Sequence, residues 1–144
     1  MKKKILFICT HNSARSQMAE GLVNSLFNDR FEAFSAGTEK TFVKPHAIEV
    51  LKDINIDISE ARSKLTTEFR DMEFDIVVTV CDNAREKCPF FPGAKELVHK
   101  SFRDPSDIRG NNNLKLEAFR RTRDEILSWL DDFLSQIPLV DDKG

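Results

Sequence analysis

No apolar run in this chain approaches the roughly 20 residues that cross a bilayer, so a transmembrane helix is excluded. Nor is there an excess of basic charge. Lysine and arginine number 22 against 24 carboxylates, a net charge of -2, which argues against nucleic acid or an anionic membrane as principal partner. No internal repeat, low-complexity tract or linker interrupts the sequence. Cysteines number only three, an odd count in a chain long enough to bury a core without staples. That usage fits thiol chemistry in a reducing cytoplasm better than a secreted disulfide framework. Tyrosine is absent altogether. Met1-Lys2-Lys3-Lys4 is basic, but the apolar run behind it stops at Cys9, so it reads as a first strand and not a signal peptide. What remains is 40% hydrophobic and 32% charged over 144 positions, the profile of one soluble domain spanning residues 1–144.

Strand and helix signals alternate. Lys3 to Ile8 reads as a buried strand, and Ser16 to Asn28 spaces Met18, Ala19, Leu22, Val23, Leu26 and Phe27 as a helix. Phe31 to Ser35 is a short strand, and Pro45 to Ile54 a helix with proline in its first turn. Arg62 to Met72 predicts a further, less regular helix. Asp75 to Val80 is the strongest β-branched run, and Glu96 to Phe102 predicts a fourth strand. A long amphipathic helix follows from Leu114 to Ile137; its arginines, Arg120, Arg121 and Arg123, read as a solvated face. Such alternation implies an α/β fold with a parallel sheet flanked by helices. Ligands bind such sheets at the carboxyl ends of the strands. Cys9 and Cys81 both fall there.

Cys9-Thr10-His11-Asn12-Ser13-Ala14-Arg15-Ser16 joins the first strand to the first helix. A cysteine, five residues and an arginine in that setting form an oxyanion cradle with a nucleophile at its base. Successive backbone N–H groups of a tight loop can point at one anion, and the Arg15 fork can grip two of its oxygens. The same N–H groups and the helix dipole favour the reactive Cys9 thiolate. Ser16 is placed to hydrogen-bond the Cys9 sulfur, and Asn12 to brace the loop. No G-K-[ST] follows, which removes a nucleotide-binding loop.

The segment from Cys9 to Gly21 resembles the active-site signature of the low-molecular-weight protein tyrosine phosphatase superfamily, and most closely its thioredoxin-coupled arsenate reductases. Ser35-Ala36-Gly37-Thr38, Pro45-His46-Ala47-Ile48, Ile56-Asp57-Ile58-Ser59 and Asp104-Pro105 resemble further segments, so the similarity spans most of the chain. It implies a single-domain three-layer α/β/α fold with a central four-stranded parallel sheet, monomeric by default. It also implies Thr10, His11, Asn12, Ser13, Ala14, Arg15 and Ser16 as the oxyanion-binding residues.

Cys81 and Cys88 bear on which reaction the loop serves. Their spacing is not that of a zinc site, and His46 and His99 complete no ligand set. Two unrelated buried thiols, or a redox pair, both remain open from spacing alone. If Asp82 to Lys87 is helical, the two lie on the order of 10 Å apart at a rise of about 1.5 Å per residue. A disulfide needs Cα atoms within about 7 Å, so joining them requires the helix to unwind. Reduction of arsenate to arsenite takes two electrons, and one disulfide releases two. The resemblance implies a relay in which Cys9 attacks arsenate, Cys81 attacks Cys9, and Cys88 attacks Cys81. Thioredoxin, or another dithiol donor, then reduces the Cys81–Cys88 disulfide.

The resemblance further implies Asp104 as general acid, although an aspartate before proline is also a common turn residue. Phosphatases of this type usually carry an aromatic wall near the Asp-Pro pair. Here Ser106-Asp107 follows and tyrosine is absent, which weighs against phosphotyrosine as substrate. No tightly bound cofactor is expected, but some related reductases hold a potassium ion through residues matching Asn12, Glu20 and Ser35. Lys64 stands where some of them supply a further carboxylate, and Glu20 reads equally as a solvated helix residue. His11 is a candidate donor to the oxyanion or simply a solvent-facing side chain. A redox-regulated phosphatase is the alternative enzyme, and an oxyanion or redox sensor the non-enzymatic alternative.

Overall fold

The computed structural model describes residues 2–82, 86 and 91–138. Four strands form one sheet: β1 (Lys3–Cys9), β2 (Phe31–Gly37), β3 (Phe74–Thr79) and β4 (Ala94–His99). Their order is β2-β1-β3-β4, and every pair is parallel. Among the described residues three α-helices accompany them: α1 (Arg15–Leu26), α2 (Pro45–Lys52) and α3 (Asn112–Ser135). This is the helix-flanked four-stranded parallel sheet expected from the sequence.

The strand order positions the site. After β1 the chain crosses through α1 to β2 on one side, and later returns to place β3 on the other side of β1. The crevice between two such strands opens at their carboxyl ends. Ile8 pairs with Thr79, and Val80 N–H donates to the Ile8 carbonyl at 2.9 Å, so Cys9 and Cys81 leave neighbouring strands on one edge.

The core explains why these segments adopt these conformations. Ile5, Leu6, Phe7 and Ile8 of β1 are almost wholly buried, as are Val77 and Val78 of β3, which suits strands covered on both faces. In α1, Met18, Ala19, Leu22 and Val23 are buried, and Gly21 lets α2 approach. A Cβ there would lie 2.9 Å from Leu51 Cδ1 and 2.8 Å from Ile58 Cγ2. Helix α3 is capped by Asn111, whose side chain accepts from the Leu114 N–H at 2.9 Å. It buries Leu116, Phe119, Ile126, Leu130 and Leu134 against α1 and α2. Each such side chain is worth about 1.5–3 kcal/mol when fully removed from water.

Two expectations are corrected. The helix predicted from Arg62 to Met72 is only one short turn, Thr66–Phe69. The preceding backbone is spent on tertiary partners: the Lys64 carbonyl accepts from Gly37 N–H at 2.7 Å, and Leu65 bridges Gly37 in parallel. Arg123 is not on a solvated face. It is 8% exposed, and its guanidinium donates to the Val50 carbonyl at 2.8 Å, tying α3 to α2. Elsewhere only the ends of elements shift. β4 ends at His99 and not Phe102, although Lys100 and Phe102 N–H still donate to the Thr79 and Val80 carbonyls.

Candidate active site

The loop between β1 and α1 is held by its own side chains. Asn12 is fully buried with φ at 52°, a left-handed conformation that asparagine tolerates better than most residues. Its Nδ2 donates to Ser16 Oγ at 2.8 Å, and Ser16 Oγ lies 2.8 Å from Cys9 Sγ. Asn12 Oδ1 accepts from Gln17 Nε2 at 2.9 Å and from the Lys64 N–H at 2.8 Å. The expected bracing by Asn12 and contact by Ser16 are thus both in the geometry. Cys9 is 3% exposed, at the end of β1.

Helix α1 begins at Arg15, and its N-terminus carries neither a side-chain cap nor an acidic residue in its first turn. Ala14, Ser13 and Ser16 are buried around it. A buried helix start without a cap is suited to an anion, which its N–H groups and dipole attract. Ala14 packs into the core, and the Ser13 carbonyl accepts from Lys44 N–H at 2.8 Å. Arg15 Nη1 donates to the Phe102 carbonyl at 2.9 Å, and its Nη2 lies 3.5 Å from Asp104 Oδ2. Asp104 is in turn fixed by accepting from Ser106 N–H at 2.9 Å. The Asp-Pro pair, 89 residues from Arg15 in sequence by numbering, therefore faces the arginine of the loop.

Cys81 is 4% exposed, and its sulfur lies 3.4 Å from Thr10 Oγ1. The structure thus brings Cys9, Thr10, Arg15, Ser16, Cys81 and Asp104 to one sheet edge. Cys88 lies outside the described residues, as does most of the predicted 82–87 helix. Just after Cys81, the Asp82 carboxylate meets His99 Nε2 at 3.0 Å, while His99 Nδ1 lies 2.8 Å from Thr79 Oγ1. His11 turns outward and pairs with Glu39 at 3.2 Å, both side chains half exposed. His46 stacks on Phe119 and meets Asn112 at 2.8 Å. Among the described residues no three His, Cys, Asp or Glu side chains converge as a metal site.

The supporting residues were not singled out in the sequence. Gln17 Nε2 reaches the Arg62 carbonyl at 2.8 Å, and Ser63 Oγ donates to the His11 carbonyl at 2.8 Å. Arg62 itself grips Glu68 through two hydrogen bonds, at 2.8 and 3.1 Å. That fork holds the Glu68 carboxyl below its usual range and the guanidinium above its own. Among the candidate cation ligands, Ser35 Oγ donates to Glu20 Oε1, and Lys64 Nζ lies 3.6 Å from the same oxygen.

A buried cysteine, an arginine and an uncapped helix start meet at the carboxyl edge of a parallel sheet, an arrangement suited to holding an oxyanion. The sequence profile of the low molecular weight phosphotyrosine protein phosphatase family matches residues 4–139, and the chain belongs to that family. Within it, the chain is similar to an arsenate reductase of Halalkalibacterium halodurans, 45% identical over 87% of this chain and 90% of the relative. An arsenate reductase of Bacillus subtilis is 39% identical over 92% of this chain and 96% of the relative. Among solved structures, an arsenate reductase in the phosphate binding state superposes with a TM-score of 0.80 at 29% identity, covering 96% of this chain and all of that one.

Proposed function

We propose that this protein is an arsenate reductase that works by a three-thiol relay and is regenerated by thioredoxin. The observation that carries the reading is the second thiol at the mouth of the loop: Cys81, on the strand end next to Cys9, with Thr10 Oγ1 3.4 Å from its sulfur. A phosphatase of this type needs one cysteine. A second thiol on the same edge serves a step in which sulfur attacks sulfur.

Arsenate enters the loop as a tetrahedral oxyanion, held by loop N–H groups and Arg15. Cys9 thiolate attacks arsenic, an oxygen departs, and Asp104 supplies its proton. Cys81 then attacks the Cys9 sulfur. The S–As bond breaks with its electron pair staying on arsenic, so arsenate leaves as arsenite and a Cys9–Cys81 disulfide forms. Cys88 attacks Cys81, Cys9 departs as thiolate, and the disulfide now joins Cys81 and Cys88. A thioredoxin dithiol takes over that disulfide by the same exchange chemistry. Two thiols lose two electrons and arsenic gains two.

Cys9, Arg15 and Asp104 would also accept a phosphate monoester, so slow phosphatase activity accompanies the main reaction. The absence of tyrosine near Asp104 removes one means of stacking a phosphotyrosine ring. The test follows arsenate-dependent NADPH oxidation with thioredoxin and thioredoxin reductase, comparing wild type with Cys88→Ser. Turnover is expected in the wild type and lost in the variant, while aryl phosphate hydrolysis survives in both. Rapid phosphate ester hydrolysis with no arsenate-driven electron flow would overturn the proposal.

A further inference from the structure

We infer that the Lys64 ammonium is the resident cation of this loop, making an added monovalent ion unnecessary. Of the residues expected to hold a potassium ion, Ser35 and Glu20 meet, Lys64 reaches both Glu20 and Asn12, and the oxygens at these contacts are engaged. Asn12 Oδ1 already accepts from Gln17 Nε2 and from the Lys64 N–H, which uses both of its lone pairs. Glu20 Oε1 accepts the Ser35 hydroxyl and faces Lys64 Nζ at 3.6 Å. A hard cation needs bare oxygens, and here it would also sit beside an ammonium of like charge. The donor set does not fit a second cation.

Lys64 is held at three atoms besides that ion pair. Its N–H donates to Asn12, its carbonyl accepts from Gly37 N–H at 2.7 Å, and its Nζ donates to the Arg62 carbonyl at 3.0 Å. Its side chain is 12% exposed and that of Glu20 25%, so solvent and salt screen the pair less than a surface pair. From Asn12 the hydrogen bonds run on to Ser16 and to the Cys9 sulfur. Lys64 meets the loop at the Asn12 side chain, through its backbone N–H, and reaches the Cys9 sulfur through Asn12 and Ser16. It is a positioning residue: its charge balances Glu20, four residues after Ser16 on α1, and its backbone fixes Asn12.

The inference rests on the oxyanion-loop reading and is independent of the reductase step. The experiment measures phosphate affinity by calorimetry and the melting temperature. Potassium, sodium and tetramethylammonium chloride are compared at equal ionic strength, the last being too large to enter the site. Wild-type values are expected to be equal in all three salts. Lys64→Met is expected to bind phosphate about fivefold more weakly in tetramethylammonium, the scale of one partly buried charged contact. Potassium restores part of that loss, and Lys64→Arg stays close to wild type. Removing both charges, as Lys64→Met with Glu20→Gln, restores affinity without potassium and also serves if the single variant does not fold. A wild type that tightens or melts higher specifically in potassium overturns the inference. So does a Lys64→Met protein that binds like wild type, or a loss that neither potassium nor the paired substitution relieves. If the wild type binds no phosphate in any salt, the oxyanion-loop reading fails, while the melting comparison still decides the cation.

Discussion

The Thr10 hydroxyl and the Cys81 sulfur lie 3.4 Å apart, joining two strand ends that are 71 residues apart in sequence. Thr10 follows Cys9 directly, so in the proposed relay its hydroxyl stands between the thiol of the first step and the thiol of the second. Replacing it with valine keeps the shape and deletes the hydroxyl. One such hydrogen bond is worth about 1–1.5 kcal/mol, or roughly tenfold in rate. Thr10→Val should slow Cys9–Cys81 disulfide formation by that factor in single-turnover acid-quench assays with thiol counting. Aryl phosphate hydrolysis should change less than about twofold, because it never uses Cys81. Equal loss in both assays would mean that Thr10 only shapes the loop.

Gly37 allows the loop to close over the end of β2. A Cβ there would lie 2.7 Å from the Thr10 carbonyl oxygen, 2.8 Å from Asn12 N and 2.9 Å from the Glu39 carbonyl oxygen. All three are backbone atoms, so the loop itself must move. Gly93 is tighter still, with a Cβ 2.1 Å from the Met72 carbonyl oxygen, but its neighbours do not belong to the Cys9–Ser16 loop. Both alanine variants should lose about 1–3 kcal/mol in urea denaturation, the usual range for overpacking. Gly37→Ala alone should also lose phosphate affinity, by about tenfold or more, since small misplacements of a preorganised site are expensive. If Gly93→Ala weakens phosphate binding as much, the effect is global and the argument for Gly37 fails.

The Cys9–Ser16 loop was legible because the residues that form it are neighbours in sequence. Cys9, Arg15 and Ser16 lie within eight residues, between a strand signal and a helix signal, where only a few uses of a cysteine and an arginine make sense. Cys81 was legible as a strand-end residue, since β-branched Ile76 to Val80 marks β3 clearly. That it meets the loop depends on the β1–β3 pairing, which no local pattern carries. Gln17, Ser63 and Lys64 were not read as part of the support. Their hydrogen bonds span 45 to 52 residues, and glutamine, serine and lysine are ordinary surface types. The same cause turned the predicted helix at Arg62 into extended backbone. Its carbonyls and N–H groups serve Gly37, Asn12 and Gln17, and tertiary partners outweigh weak helical spacing.

Arg123 is the clearest case of a side chain misread by periodicity. It looked like one of three solvated arginines, yet its guanidinium is nearly closed off from water, with Nε 2.9 Å from Asp124 and Nη1 on the Val50 carbonyl. Arg123→Leu leaves that carbonyl buried without its donor, which costs about 2 kcal/mol. Arg121, two residues back, is exposed, and its leucine variant should stay within about 0.5 kcal/mol of wild type. Urea unfolding of the two variants checks the difference. Comparable stabilities would show that the Arg123 contact adds nothing beyond its aliphatic packing.

Ser16 holds the Cys9 sulfur at the base of the loop. Asn12 Nδ2 donates to Ser16 Oγ, which leaves the serine proton free to point at the sulfur 2.8 Å away. The contact fixes where the sulfur lies relative to the loop N–H groups. Ser16→Ala should therefore slow alkylation of Cys9 by iodoacetamide, by about tenfold for the loss of one hydrogen bond to the sulfur. The first step with arsenate and the hydrolysis of aryl phosphates should fall together, because both begin with the same thiolate. Phosphate affinity should change far less, because the substitution leaves the backbone N–H groups of the loop in place. A phosphate affinity that falls as far as the alkylation rate would mean instead that the substitution distorts the loop, and the serine would then be a packing residue.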